Sequence, residues 1–98
     1  MSYTIYFKEE AKNDIIDAYD WYENKQKNLG EIFVSEIERY LDILKRKPLI
    51  FRERKKQLRY CPIKRFPFII VFEVENKAVI VYAIFNTYQH PSQIDSRK

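Results

Sequence analysis

Phe68-Ile69-Ile70-Val71-Phe72-Glu73-Val74-Glu75-Asn76-Lys77-Ala78-Val79-Ile80-Val81-Tyr82-Ala83-Ile84-Phe85 contains two apolar runs separated by Asn76-Lys77. The runs are rich in Ile, Val and Phe, hold no Pro or Gly, and are short enough for strands. The spacing predicts a hairpin: Phe68 to Glu75, a turn at Asn76-Lys77, then Ala78 to Phe85. Both strands are apolar on both faces at their middles, so each face of the sheet needs cover. One face is expected to meet helices. The other must be covered by a partner, a groove or the tail.

Upstream, Gln57 to Lys64 reads as extended, with Pro62 confining it to an edge or a bulge. Further back, Ala11, Ile15, Ala18, Tyr19 and Tyr22 recur at one helical spacing, and Phe33, Ile37, Tyr40, Leu41 and Leu44 repeat it. Glu9 and Glu10 suit the start of the first helix. Lys45-Arg46-Lys47 followed by Pro48 suits the end of the second. The link Lys27-Asn28-Leu29-Gly30 carries the chain's single Gly, expected to supply a left-handed turn. Tyr19 and Tyr22 read as core with Trp21 flanking it, and the helical carboxylates as a solvated face. Tyr3 to Phe7 reads as a strand, and Asn86 to Lys98 as irregular or a short helical turn. The expected fold is α+β in the order β-α-α-β-β-β, an antiparallel sheet with a helical hairpin packed on one face.

The chain has 98 residues, 46% apolar and 33% charged, which predicts a single domain spanning 1–98 that buries roughly 60–70% of its unfolded surface. One cysteine, Cys61, excludes an internal disulfide and a cysteine-based zinc site. No cofactor and no metal are expected. The longest apolar run has eight residues against the about 20 of a membrane span, and the N-terminus does not read as a signal peptide. A cytoplasmic location without membrane contact is therefore expected. Charge is unevenly placed: net −5 over residues 1–44, +9 over 45–65 and 0 over 66–98. The basic stretch suits an acidic partner or nucleic acid. Arg52, Arg54, Lys55, Lys56, Arg59, Lys64 and Arg65 are its candidate contacts. His90 and Cys61 have no activating neighbour in the sequence.

Four segments together resemble the RelE/ParE superfamily, the toxin halves of type II toxin–antitoxin modules, often labelled plasmid stabilisation proteins. They are Ala18-Tyr19-Asp20-Trp21-Tyr22-Glu23, Asn28-Leu29-Gly30 leading into Phe33, Arg65-Phe66-Pro67-Phe68 with Ile70 and Phe72, and Val79 to Phe85 with Pro91. The resemblance spans about Phe7 to Pro91. It implies a growth-inhibiting bacterial toxin held by a cognate antitoxin. RelE-like members are ribosome-dependent mRNA endonucleases that cleave with basic and polar side chains on the sheet face. ParE-like members inhibit DNA gyrase and are not enzymes. Where ribonuclease members often carry an Arg after the Phe-Pro-aromatic segment, this chain has Ile69. Where a His and an Arg pair frequently follow the last strand, it has Asn86, Tyr88 and Gln89. Asn does not exchange protons near neutral pH and Gln carries no charge for a phosphate. The resemblance with these departures points to a ParE-like toxin acting on gyrase or another non-nucleolytic target. The alternatives are a RelE-like endoribonuclease acting on ribosome-bound mRNA, with Arg59, Lys64, Arg65, Tyr88 and His90 as its catalytic candidates, and a non-toxic binding module. A second copy of the chain is a further candidate partner. The antitoxin is expected to lie over a basic, apolar surface left open on the last strands.

Overall fold

The structure, a computed structural model, describes residues 2–98. Its elements are β1 (Thr4–Phe7), α1 (Glu9–Lys25), α2 (Leu29–Arg46), two single 3₁₀ turns (Pro48–Ile50 and Lys55–Gln57), β2 (Arg59–Pro62), β3 (Phe68–Glu75), β4 (Ala78–Asn86) and a short α3 (Ser92–Asp95). The strands form one sheet in the order β1-β4-β3-β2. The expected α+β class and the helical hairpin on one face are both present. The antiparallel expectation holds for β2, β3 and β4. It fails for β1, which pairs in parallel with β4, Thr4 opposite Ala78 and Phe7 opposite Val81. The two helices are antiparallel to each other, so they return the chain near the side of the sheet from which β1 left. β1 can then run alongside the last strand rather than against it.

Pro62 falls on edge strand β2, where its missing N–H costs no ladder bond. Pairing of β3 with β4 shifts between Val71–Ala83 and Phe72–Val81, leaving Tyr82 as an extra residue. This bulge explains a break in alternation. Val79, Val81 and Ile84 join the core under the helices, whereas Tyr82, Ala83 and Phe85 all belong to the cluster on the opposite face.

The helix-side core centres on Phe33, which is fully buried. Its ring meets Tyr22, Phe66 and Phe68 at centroid distances of 5.4, 5.2 and 5.2 Å. The spacing suits offset and edge-to-face aromatic contact. Tyr22 thus packs against the core as expected, and Trp21 flanks it, 57% exposed. Tyr19 is only half-buried, outside both clusters.

The opposite face corrects a second expectation. It is sealed largely by the chain itself: Leu58 from the connector and Ile94 from α3 pack with Val71, Tyr82, Ala83 and Phe85, and Ile94 is 2% exposed. Hydrogen bonds clamp this strap. Lys56 Nζ donates to the Asp95 carbonyl at 3.0 Å, and Lys98 Nζ donates to the Lys56 carbonyl and to Gln57 Oε1. The strands therefore leave less open apolar surface than the two long apolar runs suggest.

Three helical carboxylates expected to face solvent are structural. Glu23 closes the N-terminus of α2, accepting the N–H of Asn28 at 2.9 Å and of Gly30 at 3.0 Å. It thereby satisfies orphan donors and faces the positive end of the helix dipole. Glu36 is buried and pairs with Arg39 at 3.2 Å. Asp14 is discussed below. The left-handed residue of the interhelical link is Asn28, with φ 72°, and not Gly30, which lies inside α2. Gly30 is required for space: a Cβ there would sit 2.7 Å from the Tyr19 carbonyl oxygen and 2.9 Å from Tyr19 Cδ2. Gly30→Ala gains about 1 kcal/mol of intrinsic helix propensity, yet it must push α1 and α2 apart, and overpacking costs about 1–3 kcal/mol. A net fall in thermal midpoint is expected, and calorimetry of the two proteins checks it.

Candidate functional site

The seven basic candidates do not form one patch. Arg59 alternates with Tyr60 and so shares the helix side of β2 with Cys61. There its Nη1 donates to the Phe51 carbonyl at 2.6 Å, and its Nη2 lies 3.5 Å from Glu53. Arg59 thus ties the connector to the sheet. Arg54 lies 4.6 Å over the Tyr60 ring, and Lys56 holds the tail. Among the described residues, Arg52, Lys55, Lys64 and Arg65 carry no side-chain hydrogen bond or ion pair, and all four are exposed. They fall in two places, Arg52 and Lys55 on the connector and Lys64 and Arg65 in the β2–β3 loop.

That loop lies at the end of the sheet where β4 finishes. Thr87 joins the two, its N–H donating to the Pro67 carbonyl at 2.8 Å. Lys64, Arg65, Tyr88 and His90 therefore gather at one end, while Arg59 stands apart from them at the start of edge strand β2, opposite Phe72. Arg65 has φ 75°, the left-handed region, in the turn that brings the Phe68 carbonyl back to the Ile63 N–H. His90 Nδ1 accepts the Ser92 N–H at 3.1 Å and so orders the start of α3. Tyr88 is 87% exposed.

On the sheet face opposite the helices, the central polar group is Tyr82. Its hydroxyl donates to Glu73 Oε1 at 2.9 Å, and Glu73 Oε2 lies 3.1 Å from Lys98 Nζ. Burial, reinforced by Glu73, pushes the Tyr82 phenol up to about 12, and burial alone pushes the Cys61 thiol up to about 12. Both groups charge by losing a proton, and both hold that proton more tightly in the folded chain. Their contribution is complete below pH 9, the ordinary thiol value, and is lost as pH rises from 9 through 12. Urea midpoints are thus expected to change little from these two groups between about pH 7 and 8.5 and to fall above that, with Cys61→Ala removing the lower part of the fall. At pH 8 the native thiol is expected to resist a water-soluble disulfide reagent until denaturant is added.

A cleft of about 490 Å³ opens at the end of the sheet that holds Tyr88. One wall is a stripe of α1: Asp14, Asp17, Ala18 and Trp21, with Tyr22 beside it. The other is Tyr88, Gln89, Asn86, Pro67, Phe68 and Ile84. Positions 14, 17, 18 and 21 share one helix face by their spacing. The cleft exists because β1 stops at Phe7, opposite Val81, while β4 runs on to Asn86. Beyond Val81 the edge of β4 is met by side chains in place of a strand. Asp14 Oδ2 accepts the Ile84 N–H at 2.9 Å, and Arg97 Nη1 donates to the Tyr82 carbonyl at 3.1 Å. Asp14 and Arg97 close on each other through two contacts of 2.9 Å. Burial and the neighbouring Tyr88 hold the Tyr22 phenol above its ordinary value, so it stays neutral at physiological pH.

Asp14, Asp17 and Arg97 were not readable as site residues in the sequence. The one signal was the run of Trp21 and Tyr22 with carboxylates one and two turns upstream. No cluster of His, Cys, Asp and Glu among the described residues is placed to hold a metal, and none of their helices is long and apolar enough to cross a membrane.

The family model described as ParE toxin of type II toxin-antitoxin system, parDE, matches residues 5–91. No curated protein gives a significant match. A solved structure titled "Chromosomal ParDE TA system from P. aeruginosa" shares the fold with a TM-score of 0.77 at 19% identity, covering 87% of this chain and 96% of that one.

Proposed function

The chain belongs to the ParE toxin family of type II toxin–antitoxin systems, and from that premise we propose that it arrests growth by binding DNA gyrase in the cytoplasm rather than by cutting RNA. As a member of such a system it has an antitoxin partner. The reading rests on how the sheet face is used. A nucleolytic centre there would need free cations beside a group that exchanges protons near neutral pH. Instead Lys98 is paired with Glu73, Lys56 holds the tail, and Tyr82 keeps its proton to about pH 12. The unengaged cations lie at the rim, and Lys64 and Arg65 are the proposed gyrase contact, with Arg52 and Lys55 adding long-range attraction to an acidic surface.

The test is to induce the chain alone and with its antitoxin, then assay gyrase supercoiling and ribosome-dependent mRNA cleavage separately. Loss of supercoiling with intact mRNA is the expected result, relieved by the antitoxin; mRNA cuts would reassign the chain to the endoribonuclease branch, and unimpaired growth would leave a non-toxic binding module. Arg65→Gly is the informative variant. Glycine accepts φ 75° without the strain an L side chain bears there. The variant is expected to fold at least as stably as the parent while losing at least about tenfold in inhibition, a loss that then belongs to the guanidinium.

A further inference from the structure

We propose that the cleft between α1 and the end of β4 receives an arginine side chain carried by the antitoxin. The cleft's walls describe the ligand. Trp21, Tyr22 and Tyr88 offer aromatic faces, and the two charged side chains lining it, Asp14 and Asp17, are both carboxylates. Arg97 already neutralises Asp14, so Asp17 is the carboxylate left to attract a cation and repel phosphate. A planar guanidinium stacks on an aromatic ring and engages a carboxylate with two parallel hydrogen bonds, which an ammonium does not.

The chain already displays both halves of this recognition. Arg97 grips Asp14 by two contacts of 2.9 Å at the cleft's inner end, and Lys25 Nζ lies 4.8 Å from the centre of the Trp21 ring. Asp17, one turn further along α1, is exposed and has no ion pair among the described residues. It stands four residues before Trp21 and across from Tyr88, itself almost fully exposed. An incoming arginine therefore repeats at Asp17 the pairing that Arg97 makes at Asp14. The basic rim of Lys64 and Arg65 lies at the same end of the molecule, so the segment that delivers this arginine is expected to carry acidic residues beside it.

The inference rests on the antitoxin reading only for which protein supplies the arginine; the cleft can be tested without it. Trp21 is the chain's single tryptophan, so its fluorescence reports the cleft directly. The purified chain is titrated with N-acetyl-arginine methylamide, its lysine counterpart, the neutral citrulline counterpart and adenosine monophosphate, each up to about 50 mM, a range that covers single-side-chain affinities. A saturable change with the arginine derivative is expected, weaker with lysine and absent with citrulline and the nucleotide. Asp17→Asn should weaken the arginine response about tenfold, and Tyr88→Ala should weaken it without altering the far-ultraviolet circular dichroism. An equal response to citrulline, to lysine or to the nucleotide overturns the proposal, as does no response to arginine or an unchanged response in Asp17→Asn. In the complex, Asp17→Lys should weaken antitoxin binding at least about 100-fold, whereas Asp20→Lys, off the cleft, should not. If no antitoxin binds the parent chain, the toxin–antitoxin reading fails while the titration still decides the cleft.

Discussion

Phe33→Ala is expected to cost about 3–5 kcal/mol of folding stability, the range for emptying a buried aromatic site. The side chain is 0% exposed. Its three aromatic neighbours come from three parts of the chain: Tyr22 from α1, Phe66 from the β2–β3 loop and Phe68 from β3. Deleting the ring therefore removes apolar burial and loosens a point where both helices, the loop and the sheet meet. The surroundings collapse poorly, because Phe66 is followed by the rigid Pro67 and Phe68 is fixed in a ladder with Asn86. Domains of this size hold roughly 5–15 kcal/mol in total, so the variant should melt more than about 12 °C lower and be cleared in cells. Urea denaturation of parent and variant at neutral pH measures the loss. Trp21→Ala is the control; at 57% exposure it should change stability by less than about 1 kcal/mol. A loss below about 1 kcal/mol in Phe33→Ala would mean that the aromatic cluster is not the keystone of this core.

Asp14→Ala is expected to cost about 2–4 kcal/mol, more than a surface carboxylate and less than a fully buried one. The side chains of Asp14 and Arg97 are 19% and 23% exposed. Removing the carboxylate abandons the Ile84 N–H and leaves the Arg97 guanidinium without its counter-charge. Removing Arg97 is milder, because Asp14 keeps its bond to Ile84. Arg97→Ala should thus cost about 1–2 kcal/mol, and the double variant little more than Asp14→Ala alone. Denaturant midpoints for the four proteins make the cycle. Equal losses for the two single variants would show that the Ile84 contact contributes no more than the Arg97 contact with the Tyr82 carbonyl.

Most of the architecture was legible because it rests on periodicity. Phe33, Ile37, Tyr40 and Leu44 mark one helix face, and the runs on either side of Asn76 mark two strands. What was not legible depends on contacts between distant residues. Nothing near Asp14 signals that it faces Ile84 and Arg97, 70 and 83 residues away. Ile94 is the single aliphatic residue in a polar tail, too short for a pattern, yet it helps seal a sheet face. The Tyr82 bulge is invisible where both faces are buried, since no alternation exists to be broken. The parallel pairing of β1 depends on where the helical hairpin delivers the chain, which neither strand records. The basic run from Lys45 to Arg65 reads as one patch in the sequence. In three dimensions it splits, because Arg59 turns inward and Pro48 to Gln57 wraps the edge of the sheet.

The parallel pairing of β1 with β4 has a bearing on synthesis. Thr4 waits for Ala78, and the tail that secures the opposite face comes later still. Contacts this remote in sequence form late and slowly. A nascent chain emerging from the ribosome thus carries its first strand and both helices with no finished sheet to dock on. A poison built this way is assembled only once nearly all of it has been translated, and the producing cell meets it as a completed molecule at the moment a neutraliser can seize it.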